Sequence, residues 1–216
     1  MAGNDEGEYA YHVFISYPRR LYAEGANGIE HACGEWLRTL FLDFFTSCLS
    51  DALPENARIF LDTQAIRGGV SWRAELERAL STSCCLVPIW SPPYFRSHYC
   101  LWEWYSFRQR GSGLVVPIGW TDSARFPEEA RQIQIRDFSP YAFTNPGLLR
   151  TEQGVGLQKA VRELADDVAR AVAVAPPYSA TDQRFRVAEL PPPVPKAKIP
   201  FMSLARSAAP ATDARS

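Results

Sequence analysis

The sequence predicts an α/β fold, an open, doubly wound parallel sheet of four to five strands flanked by helices. Two observations lead there. Short apolar runs alternate with segments of helical period across residues 9–175, and strands joined through helices pair in parallel by right-handed crossovers. The first four runs are also apolar on both faces, as strands are when helices cover both sides of a sheet. The product is flavodoxin-like, and such sheets bind ligands beyond the carboxyl ends of their strands, near the switch in strand order.

The elements follow in chain order. "YHVFIS" (11–16) reads as a buried strand. Residues 29–53 place Ile29, Cys33, Trp36, Leu37, Leu40, Phe41, Phe44, Cys48 and Leu49 at spacings of three and four, the stripe of one long amphipathic helix. "ARIFLD" (57–62) is the second strand, and "SWRAELERALSTS" (71–83) a helix with Ser71 at its N-cap. "CCLVPIW" (84–90) is the third strand. "SHYCLWEWYSFRQR" (97–110) is a helix that starts on a serine and ends at Gly111. "LVVPIGW" (114–120) is the fourth strand and "QIQIRDF" (132–138) a short fifth at an edge. Residues 154–172 close the domain with Leu157, Val161, Leu164, Val168 and Val172 on one helical face. The carboxyl edge of this sheet is expected to carry Ser16 and Tyr17, Asp62 with its following loop, Trp90 and Ser91, and Trp120.

Composition sets the outer bounds. The chain has 216 residues, 46% apolar and 22% charged, enough for one domain with a substantial core. Its net charge of −1 favours neither nucleic acid nor an anionic membrane. The five cysteines form no C-x-x-C and sit in or beside apolar runs, as reduced core thiols of a cytoplasmic protein do. The acidic, polar start is no signal peptide, and no apolar run approaches the ~20 residues a membrane span needs. Of 17 prolines, 8 lie at or beyond Pro176. Residues 1–8 are therefore expected to be a flexible N-terminus, 9–175 the folded domain, and 176–216 a proline-rich, disordered tail.

Several chemistries are excluded by what the strand ends carry. "SYPRRL" follows the first strand, where a dinucleotide fingerprint would need glycines and a phosphoacceptor site an acidic pair. No P-loop, no H-E-x-x-H and no G-x-S-x-G occurs. What stands out instead is Glu103, one carboxylate among Tyr99, Trp102 and Trp104, with one of those aromatics expected at the surface. Without context such an acid is a solvated helix residue.

Context comes from three stretches. The first strand ends Phe14-Ile15-Ser16-Tyr17. The second ends in Asp62 and leads to Ile66, Gly68, Gly69 and Trp72. The third is followed by Ser91-x-x-Tyr94-x-x-Ser97 and a helix carrying "YCLWE". In order and spacing these resemble the boxes of the Toll/interleukin-1 receptor (TIR) domain family, from about residue 9 to 172, and most closely its stand-alone bacterial members. Two departures are visible. Tyr99 stands where the family has tryptophan, and Pro18-Arg19-Arg20 replace charged residues after the first box.

The resemblance implies an NAD+ nucleosidase that cleaves the nicotinamide–ribose bond to ADP-ribose or a cyclic isomer, in bacterial immune or stress signalling. It implies Glu103 as the catalytic acid, with Phe14, Ser16, Asp62, Ile66 and Tyr99 around the substrate. It also implies NAD+ as substrate with no metal or separate cofactor, no nucleic-acid or membrane partner, and self-association or contact with other TIR domains. The chemistry is consistent with one acid. Most glycosidases need two carboxyl groups because their leaving oxygen must be protonated. Nicotinamide departs from NAD+ as a neutral ring, so one carboxylate suffices to stabilise the oxocarbenium-like ribose. Two other readings stay open: a non-catalytic TIR adaptor, and an enzyme like the nucleoside deoxyribosyltransferases, which also use a Glu on a flavodoxin-like sheet.

Overall fold

In the computed structural model, residues 7–18, 29–61, 72–111, 113–121, 124 and 126–189 are described. Five parallel strands run in the order β2-β1-β3-β4-β5. They are β1 (Tyr11–Ser16), β2 (Ile59–Leu61), β3 (Ser83–Trp90), β4 (Ile118–Gly119) and β5 (Arg136–Asp137). The two central strands, β1 and β3, are apolar because both sheet faces are covered. β3 is buried along all 8 of its residues, and β1 from its second residue on. This order reverses direction between β1 and β3, so the crevice of the fold opens at the carboxyl ends of those two strands.

Side-chain alternation sorts the core into two layers. Val13 and Ile15 of β1 join Cys85, Val87 and Ile89 of β3 on one face. Phe14 joins Leu86 and Trp90 on the other. The first face is covered by α1 (Ile29–Trp36), α2 (Leu42–Ala52) and α6 (Glu152–Ala173). The second is covered by α3 (Trp72–Thr82), α4 (His98–Arg108) and α5 (Glu128–Arg131).

The outer strands are shorter than their apolar runs. In the run 114–120, Pro117 has no N–H to give the ladder. Its carbonyl accepts from the Arg136 amide on the β5 side, and pairing with β3 consists of a Leu86–Val115 bridge and the two residues of β4. The expected single helix over 29–53 contains a wider turn, Leu37–Phe41, in which the amide of Leu42 bonds five residues back to the Leu37 carbonyl. The extra residue rotates the apolar stripe by part of a turn, so Trp36, Phe41 and Phe45 stack in succession with centroids 4.8 and 5.0 Å apart. Gly111 follows α4 with φ of 134°, a backbone conformation that suits glycine.

The expectation that the chain is unpacked from residue 176 onward does not hold for residues 176–189. Phe185 is buried against Tyr178 and Tyr9, with centroids 5.2 and 6.0 Å apart. The Arg110 guanidinium lies between this strap and the domain, 4.1 Å from the Phe107 ring and 5.5 Å from Phe185. It donates to the carbonyls of Ser83 and Leu80, and burial pushes its pKa down to about 10. Ala188 donates its amide to Ser106 Oγ (3.0 Å), and its carbonyl accepts from the Trp102 indole. Composition suggested disorder, but one aromatic side chain and one backbone unit docked on α4 are enough to hold the strap.

All five cysteines are free thiols, and Cys48 alone is only half-buried. Burial pushes Cys33 and Cys84 up to about 12 and raises Cys85 well above its ordinary value. A thiol with a raised pKa stays protonated below that value, so no thiolate attacks at pH 8. A thiol-reagent titration at pH 8 is expected to modify Cys48 first and the other four only on unfolding. Phe185→Ala is expected to cost about 3 kcal/mol in urea unfolding and to abolish hydrogen-exchange protection of the Ala188 amide.

Candidate functional site

The site is assembled by strand parity. Ser16 ends β1 and points to the same face as Phe14, the face that α4 covers. From β3 the chain turns through a single 3-10 turn, Tyr94–Arg96. Its hydrogen bonds run from the Tyr94 amide to the Ser91 carbonyl (2.9 Å) and from the Ser97 amide to the Tyr94 carbonyl (3.1 Å). Ser97 then caps α4, its Oγ accepting from the Cys100 amide at 3.3 Å. The expected N-cap serine is therefore observed here. Ser71, expected to cap α3, lies outside the described residues.

This turn brings Tyr94 beneath the first turn of α4, where its hydroxyl donates to the Cys100 carbonyl at 3.0 Å. Ser16 Oγ is 2.9 Å from the Tyr94 hydroxyl and also donates to Glu103 Oε2. Three elements thus converge on one carboxyl: the end of β1, the turn after β3, and α4. Ser16, Tyr94 and Glu103 are all buried, with Glu103 at 5% exposure. Burial drives the Tyr94 phenol well above its ordinary pKa, and the charges of Cys100 and Glu103 push the same way. Tyr94 is therefore a protonated hydroxyl at any physiological pH.

The other expected site residues divide. Tyr99 lies one helical turn before Glu103 and is partly buried. Its ring is 4.2 Å from His98 and 5.0 Å from Trp72, centroid to centroid. Trp102 and Trp104 are fully buried, so Tyr99 is the aromatic of the three that keeps some exposure. Phe14 is buried like Ser16 and Glu103, and its ring stacks on Phe60 at 5.0 Å. Asp62 and Ile66 lie outside the described residues. Tyr94 was not expected at the site. Its signal was the S-x-x-Y-x-x-S spacing, which identified a turn but not where the phenol would point.

A buried carboxyl at the carboxyl edge, oriented by a hydroxyl from the neighbouring strand, can stabilise one developing positive charge or hold sugar hydroxyls. Among the described residues, no cluster of three His, Cys, Asp or Glu side chains is placed to hold a metal ion. No helix among them is long and apolar enough to cross a membrane.

Residues 44–148 match the family model described as the TIR domain. The match begins after β1 and spans α4 with Glu103, and it supports the TIR family for the folded domain. Among solved structures, the chain is similar to the TIR domain of the Toll-related receptor TRR-2 from Hydra magnipapillata. The identity is 16%, the TM-score 0.44, and 70% of this chain and 98% of that one are covered. It is also similar to the TIR domains of the activated Roq1 resistosome recognising the effector XopQ, at 18% identity and TM-score 0.35, covering 73% and 84% of the two chains. No curated protein matches the chain.

Ser16→Ala removes the hydroxyl that bonds both Glu103 and Tyr94 in the buried site. It is expected to destabilise the fold by about 2 kcal/mol in urea unfolding. No loss of stability would mean that the Ser16 contacts do not hold the site together.

Proposed function

We propose that this chain is a TIR-family enzyme that cleaves NAD+ at the nicotinamide–ribose bond, with Glu103 as the catalytic carboxyl group. The observation that carries the reading is the placement of Glu103. It is a buried acid on α4, tied to the end of β1 at the β1/β3 switch point, where flavodoxin-like sheets bind ligands. Taken out of water, a carboxylate interacts more strongly with a cationic ribose than it would at the surface. Ser16 directs the carboxyl group, and Tyr99 presents an aromatic edge one turn away. At 5% exposure, Glu103 must be uncovered for a substrate to reach it. Asp62 and Ile66 complete the proposed substrate contacts. From the family resemblance we carry over a cytoplasmic bacterial setting, a role in immune or stress signalling, release of ADP-ribose or a cyclic isomer, and activation by self-association.

The same burial favours a second reading, a TIR adaptor without turnover, because an acid already bonded to Ser16 also serves as a structural tie between β1 and α4. The two readings separate on one experiment. Concentrated protein is incubated with NAD+ and the products are resolved, for the wild type and for Glu103→Gln. The enzyme reading expects the variant to lose at least about a hundredfold in kcat/KM. Equal turnover in both would remove Glu103 from the reaction. Concentration-dependent assembly with no turnover in either would establish the adaptor.

A further inference from the structure

The strap of residues 176–189 meets α4 along one stripe. Trp102 and Ser106 lie one helical turn apart, and Arg110 continues their line just past the end of the helix. The Ser106 hydroxyl donates to the Trp102 carbonyl (2.7 Å) and accepts the Ala188 amide (3.0 Å), while the Trp102 indole donates to the Ala188 carbonyl. Both polar groups of one backbone residue are thus read, one by an acceptor and one by a donor. Surfaces that bind extended peptides read the main chain in this way and take specificity from a side chain. Here that side chain is Phe185, buried with its ring 5.5 Å from the Arg110 guanidinium.

The domain holds these anchors without help from the strap. Ser106 is fixed by the Trp102 carbonyl, and Arg110 by the carbonyls of Leu80 and Ser83 and by the Phe107 ring at 4.1 Å. The stripe therefore keeps its shape whichever chain supplies the segment, and a preformed surface costs less to occupy. On its other side the strap borders an open cleft of about 640 Å³ shared with Arg73, Glu77 and Arg78 of α3. The joint between α6 and the strap is Pro176-Pro177. Neither residue has an N–H, and the Pro176 carbonyl accepts from the Tyr9 hydroxyl at 2.6 Å. Successive prolines favour an extended course, so the joint carries the strap away from the end of α6.

We propose that this stripe is a self-association surface whose occupant is the strap of a second copy. Every chain carries one strap and one stripe, so the exchange is reciprocal and closes as a symmetric dimer. The contacts are the same within and between chains, and concentration decides between them. A strap tethered to its own chain has an effective concentration on the order of millimolar, so exchange belongs to concentrated or clustered protein. Trp102 directly precedes Glu103, so the second copy is seated on the helix that carries the acid. The self-association in the proposed function would use this surface, but the surface itself rests on the strap contacts and needs no turnover.

The test uses the full chain and a fluorescein-labelled peptide of residues 178–189. By anisotropy, Phe185→Ala, whose own strap has lost its anchor, is expected to bind the peptide at least about tenfold more tightly than the wild type does. Ala188→Pro removes the amide but no buried ring. It is expected to behave in the same way, and it decides the matter where Phe185→Ala fails to fold. A peptide that itself carries Phe185→Ala is expected to bind none of these chains. In sedimentation, the wild type is expected to dimerise as its concentration approaches about 1 mM, and excess unlabelled peptide to return it to monomer. Peptide binding that is no tighter in the folded variants than in the wild type overturns the proposal. So does a wild-type chain that stays monomeric, which would leave the stripe to a different partner, and so does a dimer that the peptide does not disperse. NAD+ plays no part in these readouts, so their failure leaves the role of Glu103 to its own experiment.

Discussion

The hydrogen bond from Ser16 to Glu103 ties the last residue of the central strand to the helix that packs over it, and the geometry of the crevice depends on it. Both groups are buried, and a buried acid without a donor is costly. The bond exists because strand alternation turns Ser16 to the α4 face while Val13 and Ile15 turn to the other. A slip of one residue in β1 would send the hydroxyl into the opposite layer and break this bond.

Tyr94 extends the tie to a third element. A short turn after β3 places its phenol between the Cys100 carbonyl and Ser16. The turn, the helix cap at Ser97 and the acid at Glu103 therefore form one continuous hydrogen-bonded unit. Such a unit holds a carboxyl in one direction, as site chemistry requires, and it also leaves little freedom for the acid to act unless a neighbour moves. The enzyme and adaptor readings diverge on that point, since the same contacts serve orientation in one and stability in the other.

Much of this was legible in the residues. The alternation of strands and helices, the burial of β1 and β3, the cap at Ser97 and the prominence of Glu103 and Ser16 all follow from local pattern. The misses have physical causes. Pro117 leaves the fourth apolar run without one N–H on the side that faces β5. A wide turn at Leu37–Phe41 preserves the spacing of apolar residues closely enough to read as one regular helix. The strap of residues 176–189 was hidden by proline content, because a single buried phenylalanine and the backbone bonds of Ala188 leave no periodic signal.

The sequence by itself determined the order of elements, the face on which each strand residue lies, and the acid that stands among aromatics, because these depend on periods of two and 3.6 residues within short windows. Only the tertiary structure decided that Ser16, Tyr94 and Glu103 meet, at sequence separations of 78 and 87 residues from Ser16. Which groups meet is a matter of distances between distant segments, and no local pattern encodes them.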